Sequence, residues 1–148
     1  MKLIKRLLLT MAMVFTTLPV LAEQPTIEVF KSPNCGCCKH WLFHLEENGF
    51  KVISHDEENM SKIKSRFGIS KELTSCHTGV IGDYFIEGHV PASDIKKLLT
   101  ENPKIKGLSV PGMPAGDNVP GMETRSGNAN FDVLAVSNDS VSIYTHYE

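Results

Sequence analysis

The chain has 148 residues, of which 41% are apolar and 22% are charged. This length fits one domain, since domains run at roughly 100–200 residues, and the apolar share is too high for a disordered chain. The formal net charge is −2, and no run of basic residues follows the first few positions. The composition therefore argues against nucleic acid and anionic membrane surfaces as partners.

The first 22 residues have the organisation of a secretory signal peptide. Three basic residues open the chain, an apolar stretch spans Leu7–Leu21, and Ala22 ends a short segment suited to cleavage. The stretch is shorter than the ~20 residues of a full membrane span. We therefore predict a signal peptide at residues 1–22 and a mature periplasmic domain at residues 23–148, with no membrane span. That domain has 12 basic and 17 acidic residues, a net charge of −5, and its thiols can oxidise in that compartment.

The first part of the mature chain alternates strand and helix patterns. In chain order we predict a strand at Thr26–Phe30, a helix at Cys38–Asn48, a strand at Phe50–Ser54, a helix at Asn59–Phe67, strands at Gly79–Ile81 and Tyr84–Val90 around a Gly82-Asp83 turn, and a helix that Pro91 opens. The resulting order over residues 26–101, β-α-β-α-β-β-α, predicts an α/β fold.

The last third of the chain has a different character. Residues 103–130 contain four prolines and five glycines without periodicity, so we predict a long loop there. Within this loop the tetrapeptide Val-Pro-Gly-Met occurs at residues 110–113 and again at residues 119–122. Two segments rich in β-formers, Phe131–Val136 and Val141–Tyr147, flank a polar turn and predict a C-terminal β-hairpin.

Three of the four cysteines cluster between the first predicted strand and the first predicted helix. Cys35 and Cys38 form a C-x-x-C pair, and Cys37 adds a third sulfur. The N-terminus of a helix carries unpaired N–H groups and a partial positive charge, which favour thiolate over thiol. Because thiolate both attacks disulfides and binds metals, this position favours one of those two chemistries over a packing role.

A C-x-x-C pair at the first strand-to-helix junction of this element order is the thioredoxin pattern. The third strand of that topology runs antiparallel to the first, so its beginning lies beside the end of the first strand. Cys76 stands at this beginning, where thioredoxins carry a cis-proline that the chain lacks. The topology therefore predicts that a fourth sulfur joins the other three, and four sulfurs suit a soft metal better than a peptide disulfide.

The sulfur ligands alone do not decide the metal, because zinc also accepts four thiolates. Two features favour Cu(I): the predicted location outside the cytoplasm, and the thioethers of Met113 and Met122, which copper accepts and zinc rarely does. The adjacent Cys37 and Cys38 do not easily bind one tetrahedral ion, but they can bridge neighbouring Cu(I) ions. We therefore expect a multinuclear Cu(I) site.

Several motifs resemble, in the same order, those of the CopG-type periplasmic copper-resistance proteins. The resemblance covers nearly all of residues 26–147, and its motifs are Lys31–Cys38, Ser75–Thr78, Glu87–Pro91, Lys106–Pro114 and Pro120–Glu123. It implies a thioredoxin-like fold that holds a copper cluster through cysteines, with a redox role in copper tolerance. Carried over by position, the ligands implied by the resemblance are Cys35, Cys37, Cys38 and Cys76.

Four histidines are candidates for roles at or near this site. His77 adjoins Cys76, and His89 ends the fourth predicted strand, which points toward the same edge of the sheet. Each of these two histidines has two alternative interpretations. One is a role as a metal ligand or as a hydrogen-bond partner of a ligand, and the other is a purely structural role. His40 and His44 have the i, i+4 spacing of a metal-binding pair, but we interpret them as part of a solvent-exposed helix face.

Several functions are compatible with these patterns. The leading hypothesis is a protein that binds Cu(I) in a thiolate cluster for copper resistance. In this hypothesis Met113 and Met122 lie in a loop that folds over the cluster or admits copper. Whether the protein also has copper oxidoreductase activity stays open. One alternative is a thiol–disulfide oxidoreductase that uses Cys35 and Cys38. Another is a carrier that passes copper to other periplasmic copper-handling proteins without redox change. An iron–sulfur protein also needs four cysteines, but the methionine motifs and secretion disfavour it.

Overall fold

The computed structural model describes residues 23–148, so the predicted signal peptide lies outside the described residues. The strands are β1 (Thr26–Lys31), β2 (Lys51–Asp56), β3 (His77–Ile81), β4 (Tyr84–Glu87), β5 (Gly107–Ser109), β6 (Phe131–Val136) and β7 (Val141–Tyr147). The helices are α1 (Gly36–Glu47), α2 (Met60–Arg66) and α3 (Ala92–Glu101), and a short 3₁₀ helix covers Lys71–Leu73. The predicted order of the first seven elements, β-α-β-α-β-β-α, is confirmed.

All seven strands belong to one sheet with the order β2-β1-β3-β4-β5-β6-β7. β1 pairs with β2 in parallel and with β3 in antiparallel orientation, and β3 and β4 form a hairpin. Lys31 at the end of β1 lies opposite His77 at the start of β3. The α/β thioredoxin-like fold and the antiparallel pairing of the first and third strands are therefore confirmed.

The prediction that residues 103–130 form a loop throughout is wrong at one place. Gly107–Ser109 forms β5, which pairs in parallel with β4 and in antiparallel orientation with β6. This short strand attaches the C-terminal hairpin to the rest of the sheet. Gly107 permits it, since a Cβ at this position would collide with the backbone oxygen of Phe85. A strand of three residues is too short to show the alternation by which strands are recognised in a sequence.

The buried apolar side chains form two clusters, one on each face of the sheet. Neighbouring residues of a strand point to opposite faces, and accordingly Ile86 belongs to the larger cluster and Phe85 to the smaller one. Trp41 of α1 and Leu98 of α3 are fully buried in the larger cluster. The Trp41 ring centroid lies 4.3 Å from that of His77. This packing holds α1 beside the start of β3.

None of the helices within residues 23–148 has the length and apolar character needed to cross a membrane.

Candidate metal centre

The four cysteine sulfurs converge at the junction of β1 and α1. Cys35 is the N-cap residue of α1, and its sulfur accepts a hydrogen bond from the Cys38 N–H at 3.3 Å. The Cys37 sulfur lies 3.5 Å from the Cys35 sulfur. Cys76 approaches from the segment before β3, and the four sulfur atoms all lie within 4.8 Å of one another. The geometry expected from the topology, with a fourth sulfur beside the other three, is present.

Two of these sulfurs are joined to each other in this structure. Cys35 and Cys38 form a disulfide, whereas Cys37 and Cys76 are free. Cys38 is fully buried and Cys35 is half-buried, so Cys35 presents the more accessible sulfur of the bond. A set of four thiolates therefore requires reduction of this disulfide by two electrons.

His89 directs one ring nitrogen at the sulfur of Cys76. Its Nδ1 lies 2.7 Å from the backbone oxygen of Pro120 and its Nε2 lies 3.2 Å from the Cys76 Sγ. A carbonyl oxygen only accepts hydrogen bonds, so Nδ1 carries a proton and donates it. Burial lowers the pKa of His89, which favours the neutral ring. In that form the Nε2 lone pair faces Cys76 and is available to a metal ion or to the thiol proton.

His77 lies beside the same sulfur, and its ring centroid is 4.9 Å from that of His89. Its Nδ1 lies 3.2 Å from the Cys76 Sγ, and the ring is fully buried. Burial, followed by the neighbouring His89 ring, holds the pKa of His77 well below its ordinary value. Among the described residues, the buried Nε2 atom of His77 has no hydrogen-bond partner. An unpaired buried nitrogen is costly and calls for an explanation such as an ion or a water molecule.

The environment of Cys76 favours its thiol over its thiolate in the metal-free protein. Burial, and then the nearby Cys37, raises the pKa of Cys76 to about 12. A metal ion that binds this sulfur must therefore displace a proton, so binding releases protons.

The two Val-Pro-Gly-Met segments both lie against the residues that carry the cysteines. In the first, Gly112 accepts a hydrogen bond from the Ser75 hydroxyl and donates its N–H to the backbone oxygen of Thr74 at 3.0 Å. In the second, a Cβ on Gly121 would lie 2.6 Å from the backbone nitrogen of Trp41 and 3.0 Å from the backbone oxygen of Cys37. The first segment thus contacts residues next to Cys76, and the second contacts the helix that carries Cys37.

Their methionines have different surroundings. Met113 is 54% exposed, whereas Met122 is partly buried and packs against the larger apolar cluster. Participation of either thioether in copper binding stays a prediction.

The interpretation of His40 and His44 as an exposed pair is correct for His40 and wrong for His44. His44 is half-buried, and its Nε2 accepts a hydrogen bond from the Ala92 N–H at 3.0 Å. Ala92 is the first residue of α3, and the N-cap residue Pro91 provides no side-chain hydrogen bond. His44 therefore caps α3 from another helix. A proline at the N-cap is a signal that the first turn needs an acceptor from elsewhere, but the sequence does not identify which residue supplies it.

Replacement of His44 by alanine is expected to lower the free energy of unfolding by about 1 kcal/mol, the usual effect of losing a helix cap. Burial lowers the pKa of His44, so the unfolded chain binds a proton more readily than the folded one. The stabilisation that His44 provides is therefore present above pH ~6.5, the pKa of histidine in the unfolded chain, and is lost as the pH falls below that value. Urea unfolding of the metal-free protein at about pH 7.5 and about pH 5 should show a smaller effect of His44→Ala at the lower pH.

The matched control is His40→Ala, because His40 lies one turn earlier on the same helix and is exposed. This variant should unfold like the parent at both pH values. Equal losses for the two variants would contradict the capping role.

The fold and the site together define a class: a thioredoxin-like α/β domain with four converging cysteine sulfurs at its first strand-to-helix junction. The family described as "Protein of unknown function, DUF411" matches residues 73–124. No curated protein matches the chain.

Two solved structures described as copper resistance protein copG resemble the chain over most of its length. Form 2 is 46% identical, covers 85% of this chain and 100% of that chain, and superposes with a TM-score of 0.80. Form 1 is 47% identical, with coverages of 84% and 98% and a TM-score of 0.79. The chain belongs to the CopG family of copper resistance proteins, as its sequence motifs predict.

Proposed function

We propose that this protein acts in copper resistance in the periplasm by binding Cu(I) in a cluster of cysteine thiolates. The observation that carries the proposal is the approach of all four cysteine sulfurs to within 4.8 Å of one another. The description of the two similar structures as copper resistance proteins supports the choice of metal. The proposed ligands are Cys35, Cys37, Cys38 and Cys76.

The chemistry of the donor atoms suits Cu(I). Thiolates are soft ligands, and four of them in one place favour Cu(I) or zinc over hard cations. The sequence neighbours Cys37 and Cys38 are better placed to bridge two ions than to bind one, which supports a multinuclear site. The two imidazoles beside Cys76 add nitrogen donors, one each from His77 and His89.

A redox role is part of the proposal. Thiolates that bridge copper ions allow electron exchange between copper oxidation states, which would make the protein a copper oxidoreductase. The disulfide between Cys35 and Cys38 adds a second redox couple that opens and closes half of the proposed ligand set.

Copper uptake is expected to depend on the state of this disulfide. Fully reduced protein should bind several Cu(I) ions in an anaerobic titration, and protein with the disulfide intact should bind fewer, since two of the four sulfurs are then unavailable. Reduced protein whose thiols have been alkylated is the control for adventitious binding. Equal uptake by the reduced and oxidised forms would show that Cys35 and Cys38 are not ligands.

A thiol–disulfide oxidoreductase is the second candidate, and the disulfide itself favours it. The more accessible sulfur, that of Cys35, is where a substrate thiol would attack, and the buried Cys38 would leave as a thiolate. This candidate predicts that Cys37→Ser and Cys76→Ser leave the reduction of a protein disulfide intact. The copper proposal predicts that either change lowers the metal stoichiometry.

A copper carrier without redox change is the third candidate. The carrier would pass Cu(I) to other periplasmic copper-handling proteins. Treatment of the Cu(I)-loaded protein with an oxidant distinguishes the carrier from the copper oxidoreductase. A Cu(II) signal in electron paramagnetic resonance supports the copper oxidoreductase, and the absence of that signal supports the carrier.

A further inference from the structure

A buried ion pair lies behind the segment that carries Cys76. Glu87, the last residue of β4, is fully buried, and its carboxylate accepts a hydrogen bond from the Lys64 ammonium group of α2. The Thr78 hydroxyl donates to the second carboxylate oxygen at 2.7 Å, and Lys64 also donates to Thr78 at 3.2 Å. Burial of two charges is costly unless their hydrogen bonds are satisfied. Here the Lys64 ammonium group and the Glu87 carboxylate each take part in more than one hydrogen bond.

The same carboxylate holds the backbone next to the fourth cysteine. The N–H of Ser75 donates to the Oε1 atom of Glu87 at 2.6 Å. The residues from Thr74 to Cys76 form neither helix nor strand, so they depend on such contacts for their conformation. A hydrogen bond to a charged acceptor is about twice as strong as one between neutral groups. Glu87 therefore fixes the backbone one residue before Cys76.

We propose that Glu87, paired with Lys64, is a positioning residue that holds the Cys76 sulfur against the other three sulfurs. The Glu87 carboxylate accepts hydrogen bonds from Lys64, Thr78 and the Ser75 N–H, and it acts on Cys76 through the last of these. The expected effect of Glu87 on Cu(I) affinity rests on the proposed function. Its effect on the position of the Cys76 thiol does not require a metal.

Two double variants separate positioning from folding. Lys64→Met/Glu87→Gln and Lys64→Met/Glu87→Leu both remove the ion pair and leave no lone buried charge. They differ in the contacts they keep: glutamine keeps polar partners for the Ser75 N–H and for the Thr78 hydroxyl, and leucine keeps neither. Variants at Ser75 itself isolate the Ser75 N–H. The leucine variant is expected to bind Cu(I) on the order of 10-fold more weakly than the glutamine variant, the loss typical of a residue that supports a metal ligand.

The copper-independent readout is alkylation of reduced, metal-free protein by iodoacetamide, followed by peptide mass spectrometry. Cys76 should react several-fold faster in the leucine variant than in the glutamine variant, and Cys37 should react equally in both. Equal Cys76 rates in the two variants would overturn the proposal. If wild-type protein binds no Cu(I), the proposed function fails, and the alkylation rates still decide the positioning role.

A second matched pair covers the case in which the leucine variant does not fold. Ser75→Ala and Ser75→Pro both remove the hydroxyl, but only proline removes the N–H that Glu87 binds. Faster alkylation of Cys76 in Ser75→Pro than in Ser75→Ala supports the positioning role, and equal rates contradict it.

Discussion

Replacement of Cys76 by serine is expected to abolish most of the Cu(I) binding of the reduced protein. The hydroxyl group is a hard and weakly acidic donor, which Cu(I) does not favour. The change also removes a sulfur that lies 3.2 Å from a ring nitrogen of both His77 and His89. We expect an affinity loss of at least about 100-fold, because loss of a residue that only supports a ligand already costs 10–100-fold. Competition with a Cu(I) chelator under anaerobic conditions measures it.

The matched control for this variant is Thr74→Ala. Thr74 lies two residues earlier on the same segment, and its hydroxyl donates to the Lys71 backbone oxygen at 2.9 Å. This control should bind copper like the wild-type protein. If Cys76→Ser also binds like wild type while it retains disulfide reductase activity, the thiol–disulfide oxidoreductase becomes the better account.

Replacement of Gly121 by alanine is expected to lower the free energy of unfolding by about 3 kcal/mol, from left-handed backbone strain together with overpacking. The φ angle of Gly121 is +77°, and its Cβ would lie 2.6 Å from the backbone nitrogen of Trp41. A helix backbone cannot yield as a flexible side chain does. The 119–122 segment must therefore move away from the first turn of α1, where Cys37 lies. Urea unfolding of the metal-free protein measures the loss.

The repeated tetrapeptide supplies the control for this prediction. Gly112 occupies the same place in the first copy, with a φ angle of +69°, but its Cβ would meet no atom within 4 Å. Gly112→Ala should therefore cost only the backbone strain, about 1 kcal/mol. Equal losses for the two variants would show that the close approach of Gly121 to α1 does not determine its effect.

The convergence of the sulfurs was predictable because it depends on topology alone. Once β3 runs antiparallel to β1, the start of one strand must lie beside the end of the other, and Cys76 precedes β3 directly. The sequence does not decide the pairing of Cys35 with Cys38, since one C-x-x-C sequence serves both disulfides and metal sites.

Contacts between distant side chains could not be predicted in the same way. Glu87 and Ser75 are 12 residues apart and Ala92 and His44 are 48 apart, and their hydrogen bonds arise from tertiary packing. One signal for Glu87 is nevertheless present in the sequence: a charged residue stands within the otherwise largely apolar predicted strand Tyr84–Val90. A charge at such a position requires a partner, but the sequence does not identify Lys64 as that partner.

X-ray absorption at the copper edge of the reduced, Cu(I)-loaded protein probes the proposed cluster most directly. Thiolate ligands that bridge several ions should give a first shell dominated by sulfur together with a short copper–copper distance. A first shell of nitrogen and oxygen atoms, or a lone copper ion without a copper neighbour, would contradict a cluster held by these cysteines.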